Sequence, residues 1–337
     1  MPTISWGIIS CADIGLRAVV PALRKSNNGR VAAIASRDLS RAQQAAAAHE
    51  IPRAYSSYDE LLADPGIDAV YIPVPNSEHA RWTIRALEQG KHVLCEKPLA
   101  LNTREVDAIA QAASVHHRLV MEALMYPFHP QTERVVEIVR SGVLGAVQLV
   151  SATFTYHVPN PLDIRLKRAL GGGCLLDVGS YCVAVARMAA DAEPIEVVGR
   201  ARIGPSSDVD EVFTGLLRFP AGQQATFGCT LHGPREQWYK ISCADATLTV
   251  TVPFAPGTDD RELIVRRGWQ RGKETEERIR IPGVDQYQLM VEHFSDCILN
   301  SRTPAISLAR TRGNVAAVDA LMQSARAADQ TPLKGEL

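Results

Sequence analysis

A chain of 337 residues, 46% hydrophobic and 22% charged, has the composition of an ordinary globular protein with enough length for two cores. Its net charge of −1, without a basic block, argues against nucleic acid as a partner, and the longest apolar runs are expected to fall far short of a membrane span. Met1-Pro2-Thr3 leads directly into a strand-like segment, with no signal peptide expected. Seven cysteines lacking any C-x-x-C pair and nine histidines lacking ligand spacing point to buried thiols in a reducing cytoplasm, not to disulfides or a metal.

The first 120 or so residues alternate strand and helix. Strands are predicted at residues 4–9, 30–35, 54–55, 69–72, 92–95 and 119–121. Helices are predicted at 16–24, 40–49, 58–62, 79–89 and 103–114. Right-handed crossovers then give a doubly wound parallel sheet, an α/β fold. Its first strand-to-helix turn reads Gly7-Ile8-Ile9-Ser10-Cys11-Ala12-Asp13-Ile14-Gly15. On the G-x-G-x-x-G pattern the small positions are Ser10, Ala12 and Gly15. All three permit close backbone approach to a pyrophosphate, although a tight turn in any strand–helix unit would look the same. At the end of the second strand, where NAD sites place an acid, stand Ser36 and Arg37, with Arg41 one helical turn on. Two guanidinium groups and a hydroxyl suit the 2′-phosphate of NADP; the alternative is two solvated arginines on a surface helix.

The run 92–95 ends in Glu96-Lys97-Pro98. Open α/β sheets bind ligands beyond the carboxyl ends of their strands, which puts Glu96 and Lys97 where cofactor and substrate meet. A surface ion pair in a turn is the alternative. From Glu122 the pattern changes to long alternating stretches, with strands predicted at 147–157, 197–203, 212–219, 224–231, 239–242, 247–252, 263–265 and 278–281. Helices are predicted at 131–141, 286–300 and 308–328. This is an α+β domain with a large, mostly antiparallel open sheet. With few helices to cover it, one sheet face is expected to bury itself against a second copy in a homodimer. Within this domain Gly171-Gly172-Gly173 precedes a helix on which Asp177 and Tyr181, four residues apart, share a face. An acid and a phenol beside a glycine loop suit a ligand; a capping loop and a core tyrosine are the plain alternative.

Taken together, Glu96-Lys97-Pro98, the variant glycine turn, Pro75-Asn76 with His79, Glu122-Ala123-Leu124-Met125-Tyr126 with Phe128-His129-Pro130, and residues 171–181 resemble the Gfo/Idh/MocA oxidoreductases over nearly the whole chain. The resemblance extends to the subgroup of glucose–fructose oxidoreductase, dimeric dihydrodiol dehydrogenase and NADP-dependent D-xylose dehydrogenase. It implies a Rossmann domain over 1–122, a substrate-binding and oligomerisation domain over 123–337, and an active site between them. It implies that Lys97 is the catalytic lysine, Tyr181 the proton donor or acceptor, and Asp177 a substrate-contacting acid. NADP, with NAD as the alternative, is then expected to meet Ser10, Ala12, Asp13, Ile14, Ser36, Arg37, Arg41, Pro75, Asn76, His79, Glu96, Lys97 and Arg165. For His79 a structural hydrogen-bonding role is the competing reading. The sequence departs from the family pattern at Ser10 and Ala12, at Pro127 where arginine is expected, and at Asp163 where relatives have asparagine. The glucose–fructose enzyme is exported with a resident cofactor, whereas without a leader an exchangeable NADP is expected here.

The chemistry follows from the side chains. A free tyrosine has a pKa of about 10, and a nearby ammonium group lowers it. Tyr181 assisted by Lys97 would therefore exchange a proton with a sugar hydroxyl as hydride leaves or joins that carbon. Oxidation of trans-dihydrodiols, reduction of dicarbonyls, and a catalytically silent NADP sensor are the alternatives. Replacing Arg37 and Arg41 together by alanine is expected to lower the NADP-over-NAD preference by on the order of 10²- to 10⁴-fold, the worth of two charge-assisted hydrogen bonds at about 1.5–3 kcal/mol each. Coenzyme titrations check this, and an unchanged preference refutes it.

Overall fold

Strand β1 (Ile4–Ile9) is buried at all six positions, as expected of a strand covered on both faces. The computed structural model describes residues 2–268 and 272–328. Met1 and residues 329–337, the outer ends of the two expected domains, lie outside the described residues, as do residues 269–271. After β1 come α1 (Val20–Lys25), entered through a π-helical turn (Gly15–Val19), β2 (Gly29–Ala35), α2 (Leu39–Ala48), β3 (Arg53–Tyr55) and α3 (Tyr58–Ala63). Then follow β4 (Ala69–Ile72), α4 (His79–Glu88), β5 (His92–Glu96), α5 (Thr103–Val115) and β6 (Val120–Ala123). The strands form a six-stranded parallel sheet in the order β3-β2-β1-β4-β5-β6. This is the doubly wound sheet expected. Local signals start its helices: Asp38 accepts from the Ser40 and Arg41 amides, and Asn102 from that of Glu105.

The second architecture begins with α6 (Pro130–Arg140) and β7 (Val147–His157), then α7 (Ser180–Ala190), entered through a π-helical turn (Leu175–Gly179). Strands β8 (Glu196–Ile203), β9 (Asp210–Arg218), β10 (Gln224–Thr230), β11 (His232–Cys243), β12 (Ala246–Val250), β13 (Arg261–Arg267) and β14 (Thr275–Ile281) follow. Among the described residues they make an eight-stranded sheet, order β14-β13-β12-β11-β7-β10-β9-β8, antiparallel except between β7 and β10. One face buries Val150, Ala152, Phe213, Leu217, Ala225 and Phe227, while Leu149 and Val198 of the other remain 38% and 37% exposed.

Two features differ from expectation. Strand β11 is twelve residues long, not the short segment 239–242. Its pairing with β7 shifts register between His232 and Glu236, and the irregularity with Pro234 erases the alternation a strand shows. The apolar stretch Arg168–Ala190 is long enough by composition to cross a membrane, contrary to the expectation that no run approaches that length. In the fold 78% of its apolar window is buried, and its second half is α7.

The chain ends in α8 (Gln286–Leu299) and α9 (Leu308–Ala328). It divides into two compact units, Met1–Phe128 with Asp285–Arg312, and His129–Val284 with Gly313–Leu337. A division at residue 122 assigns α8 to the second domain, but its contacts assign it to the first. The Trp6 indole N–H donates to Ser295 Oγ at 3.2 Å, and its ring lies 5.9 Å from that of Phe294. All three side chains are fully buried. Trp6→Ala is therefore expected to destabilise this unit by about 3–5 kcal/mol, measured by urea unfolding followed by circular dichroism.

Candidate active site

The parallel order puts the carboxyl ends of β1, β2, β4 and β5 on one edge of the first sheet. Ser10 follows β1 at φ +96°, a conformation in which glycine is usual. It is held there because its N–H donates to Ala35 at 3.0 Å and its Oγ donates to the Pro73 carbonyl at 3.2 Å. The same Oγ accepts from the Ala12 amide. Gly15 begins the helical turn where a Cβ would press on the Tyr71 ring at 3.3 Å, and no side chain caps this start at Ile14. Asp13 is exposed and ion-paired with Arg17 at 3.0 Å. The chain thus offers a tight, small-residue turn and an uncapped helix start, which fit a pyrophosphate.

Ser36 is buried at the exit of β2, and its Oγ accepts from the Asp38 amide. Arg37 and Arg41 are exposed and both act on the Tyr58 phenol, while Arg41 and Ser36 also face Cys11 in the turn after β1. Two cations and a hydroxyl therefore gather beside that turn. Asp38, the acid of the segment, is occupied in capping α2. The group suits an additional phosphate better than a bare ribose diol.

Beyond β4, Pro75 opens a short helical turn, Asn76–Glu78, and accepts the Glu78 amide at 2.8 Å. His79 is fully buried, with Nδ1 2.7 Å from the Pro98 carbonyl and Nε2 2.8 Å from that of Val74. Its ring ties the exit of β4 to the exit of β5, the structural role weighed for it. Burial pulls its pKa down. At the end of β5, Glu96 accepts from the Tyr71 hydroxyl at 2.5 Å and from the Lys97 amide at 3.3 Å. Burial, reinforced by Glu96, drives the Tyr71 phenol well above its ordinary pKa, so Tyr71 stays a donor. Lys97 is half-buried, and the Lys97–Pro98 bond is cis. Next along, the Leu99 amide and the Thr311 hydroxyl donate to buried Glu122, whose pKa burial raises.

In the second unit the glycine run is sterically required. Gly171 and Gly173 have φ of +76° and +120°, and a Cβ on Gly173 would collide with Asp210. A Cβ on Gly172 would collide with the Arg165 carbonyl. The turn delivers Asp177 and Tyr181, both buried. The Tyr156 hydroxyl donates to Asp177 Oδ2, and Arg165 Nε lies 3.3 Å from the same oxygen. Asp163 anchors the far side of the Arg165 guanidinium at 3.2 Å. Burial and then Asp177 raise the Tyr156 pKa, while Asp177 is the main cause that raises that of Arg165. The proton and the positive charge thus stay on the groups that face the carboxylate. The Tyr181 ring sits among Phe154 at 5.6 Å and Phe254 at 5.3 Å.

Arg165, expected to meet the cofactor, engages Asp163 and Asp177. Tyr156, Phe154, Phe254 and Asp210 were not singled out from sequence. Phe154 and Tyr156 alternate along a strand, a sign of a shared face but not of what that face meets.

Comparisons with known proteins identify the family. Residues 4–124 match the family model described as oxidoreductase family, NAD-binding Rossmann fold, and residues 132–249 match the GFO/IDH/MocA C-terminal domain. A D-xylose 1-dehydrogenase (NADP(+)) of Haloferax volcanii is 36% identical over 95% of this chain and 97% of its own. The human trans-1,2-dihydrobenzene-1,2-diol dehydrogenase is 37% identical over 68% of each chain. Among solved structures, KijD10, a 3-ketoreductase from Actinomadura kijaniata in complex with NADP and TDP-benzene, superposes with a TM-score of 0.87 at 30% identity, covering 96% of this chain and 98% of that one. With both domain models matched in order, this chain belongs to the Gfo/Idh/MocA family of oxidoreductases.

Proposed function

We propose that this protein transfers hydride between NADP and a hydroxyl- or carbonyl-bearing carbon of an aldose, a keto sugar or a related polyol. The observation that carries the reading is Asp177, held by Tyr156 and Arg165 one helical turn before the phenol of Tyr181. A carboxylate so held accepts a hydrogen bond from one hydroxyl of a polyol, while the phenol serves the neighbouring one. The NADP dependence of the xylose relative and the NADP-bound ketoreductase support the coenzyme, as do Ser36, Arg37 and Arg41.

The bound nicotinamide supplies the hydride acceptor or donor. Tyr181 takes the proton of the reacting hydroxyl and returns it in reduction. Neutral tyrosine is a poor base at pH 7, and Lys97 is the cation proposed to favour the phenolate. Asp177 orients the substrate. Ser10, Ala12 and Ile14 are assigned to the pyrophosphate turn, with Asp13 at its exposed rim. Pro75, Asn76 and Glu96 are assigned to the nicotinamide end, with His79 fixing their backbone.

A second reading, oxidation of trans-dihydrodiols, draws on the human relative and on Phe154 and Phe254, which give Tyr181 an aromatic setting suited to a planar ring. A reducing cytoplasm is the compartment we propose, and all seven cysteines are free, Cys174 and Cys229 with sulfurs 3.6 Å apart. A homodimer through the open face of the eight-stranded sheet is part of the proposal. That face presents Leu149, Val198, Leu216 and Trp238 among threonines.

Absorbance at 340 nm with NADP and a panel of aldoses and dihydrodiols tests the activity and separates the two substrate readings. Tyr181→Phe and Lys97→Met are each expected to lower kcat by on the order of 10²–10⁴ with NADP binding retained. Near-wild-type turnover in either variant would refute its assignment, and absence of turnover on every substrate would favour a sensor. Light scattering is expected to give twice the 36.7 kDa chain mass, and Val198→Asp with Leu216→Asp to give monomers. A wild-type monomer at micromolar concentration would remove the dimer.

A further inference from the structure

Asp210, the first residue of β9, is 3% exposed. Its Oδ2 accepts the Leu175 N–H at 2.6 Å and the Cys174 thiol at 3.3 Å. Leu175 opens the turn that runs into α7, and Cys174 before it supplies no side-chain cap. The free amide at this helix start is therefore met from a strand 35 residues further on. Gly173 makes the contact possible, because any Cβ there would occupy the place of the carboxylate. Caps elsewhere in the chain come from side chains two or three residues away, such as Asp38, Ser57 and Asn102, and settle only where a helix begins. A cap from a neighbouring strand also sets the depth and rotation of the helix against the sheet. Asp177 and Tyr181 lie within the first two turns after it.

We infer that Asp210 is a positioning residue of the reaction, its carboxylate fixing the helix start that carries Asp177 and Tyr181. The inference rests on the catalytic reading of those two side chains. Two other titratable groups act on this carboxylate, Cys174 from the turn and Arg326 from α9, while Cys229 of β10 faces Cys174. Burial pushes the pKa of Asp210 up to about 6, with the Leu175 amide and Arg326 among the causes that oppose it. The sign for stability follows. A carboxyl whose folded pKa is raised stabilises the fold below its unfolded value of about 4 and loses that contribution as pH rises through the folded value. The ionised cap is thus held at a cost to stability, as expected for a group kept for alignment. Above about pH 6 the cap is charge-assisted, and below it the weaker neutral carboxyl remains.

The test joins amide exchange, which needs no substrate, with pH-dependent kinetics. In Asp210→Ala the amides of residues 175–181 are expected to exchange roughly tenfold faster than in wild type, the loss of a cap worth about 1 kcal/mol. With NADP and D-xylose or trans-dihydrobenzenediol, kcat falls on the order of 10- to 100-fold while NADP affinity stays within about twofold. Asp210→Asn keeps an acceptor of the same shape without the titration. It is expected to hold kcat at pH 8 near the lower level that wild type is expected to fall to below pH 6, and to lack the acid limb expected of wild type. Asp210→Asn answers the question alone if Asp210→Ala does not fold. Unchanged exchange in Asp210→Ala, an unchanged kcat despite faster exchange, or a wild-type acid limb in Asp210→Asn would each overturn the inference. Wild type inactive on every substrate would instead sink the proposed reaction, and the exchange arm would still decide whether Asp210 pins the helix.

Discussion

A strand covered on both faces has nowhere to present polar chemistry except at its ends. Strands β1 and β4 are buried at every position, and β5 at its three central ones. Their side chains make a dry layer whose order is set by apolar contact. Polar function is thereby displaced to the residues just past each strand: Ser10 after Ile9, Ser36 after Ala35, Pro73 after Ile72, and Lys97 after Glu96. These residues are also cross-linked. Ser10 bonds the carbonyls of Ala35 and Pro73, His79 spans Val74 and Pro98, and Tyr71 holds Glu96. Each bond satisfies a backbone or carboxylate group that the end of a buried strand would otherwise leave without a partner.

The second unit solves a different problem, since one face of its sheet is covered and the proposed acid and phenol ride on a helix. A buried carboxylate such as Asp177 is tolerable only with donors and a countercharge close by. Tyr156 and Arg165 supply both, and Asp163 holds the arginine in turn. The glycine run keeps this set tight, because the backbone must pass the Arg165 carbonyl and the Asp210 carboxylate without a Cβ. The hydride transfer proposed here would need rigid neighbours of this kind, as small misalignments raise the barrier steeply.

Period-two and period-3.6 patterns made most elements readable along the chain, since each pattern is a local record of which face is buried. Strand β1, the strand Ala69–Ile72 and β7 lie where the pattern puts them. The sequence misled where a local rule was overridden. Ser10 occupies a left-handed position normally given to glycine, so the turn looked weaker than it is. Strand β11 lost its alternation to a register shift, and Arg168–Ala190, expected to fall short of a membrane span, reaches that length by composition while being mostly buried.

By itself, then, the sequence determined the class of both folds, the strand-end location of Lys97, the helical spacing of Asp177 and Tyr181, and the family. All of these depend on residues near one another in the chain. Tertiary structure alone decided that α8 packs with Trp6 in the first unit, that Tyr156 and Arg165 hold Asp177, and that Asp210 meets Leu175. Those pairs are 12 to 289 residues apart. Periodicity says which face of a strand or helix is buried, but not which distant side chain will be found there; that is settled only when the sheets close and their helices dock.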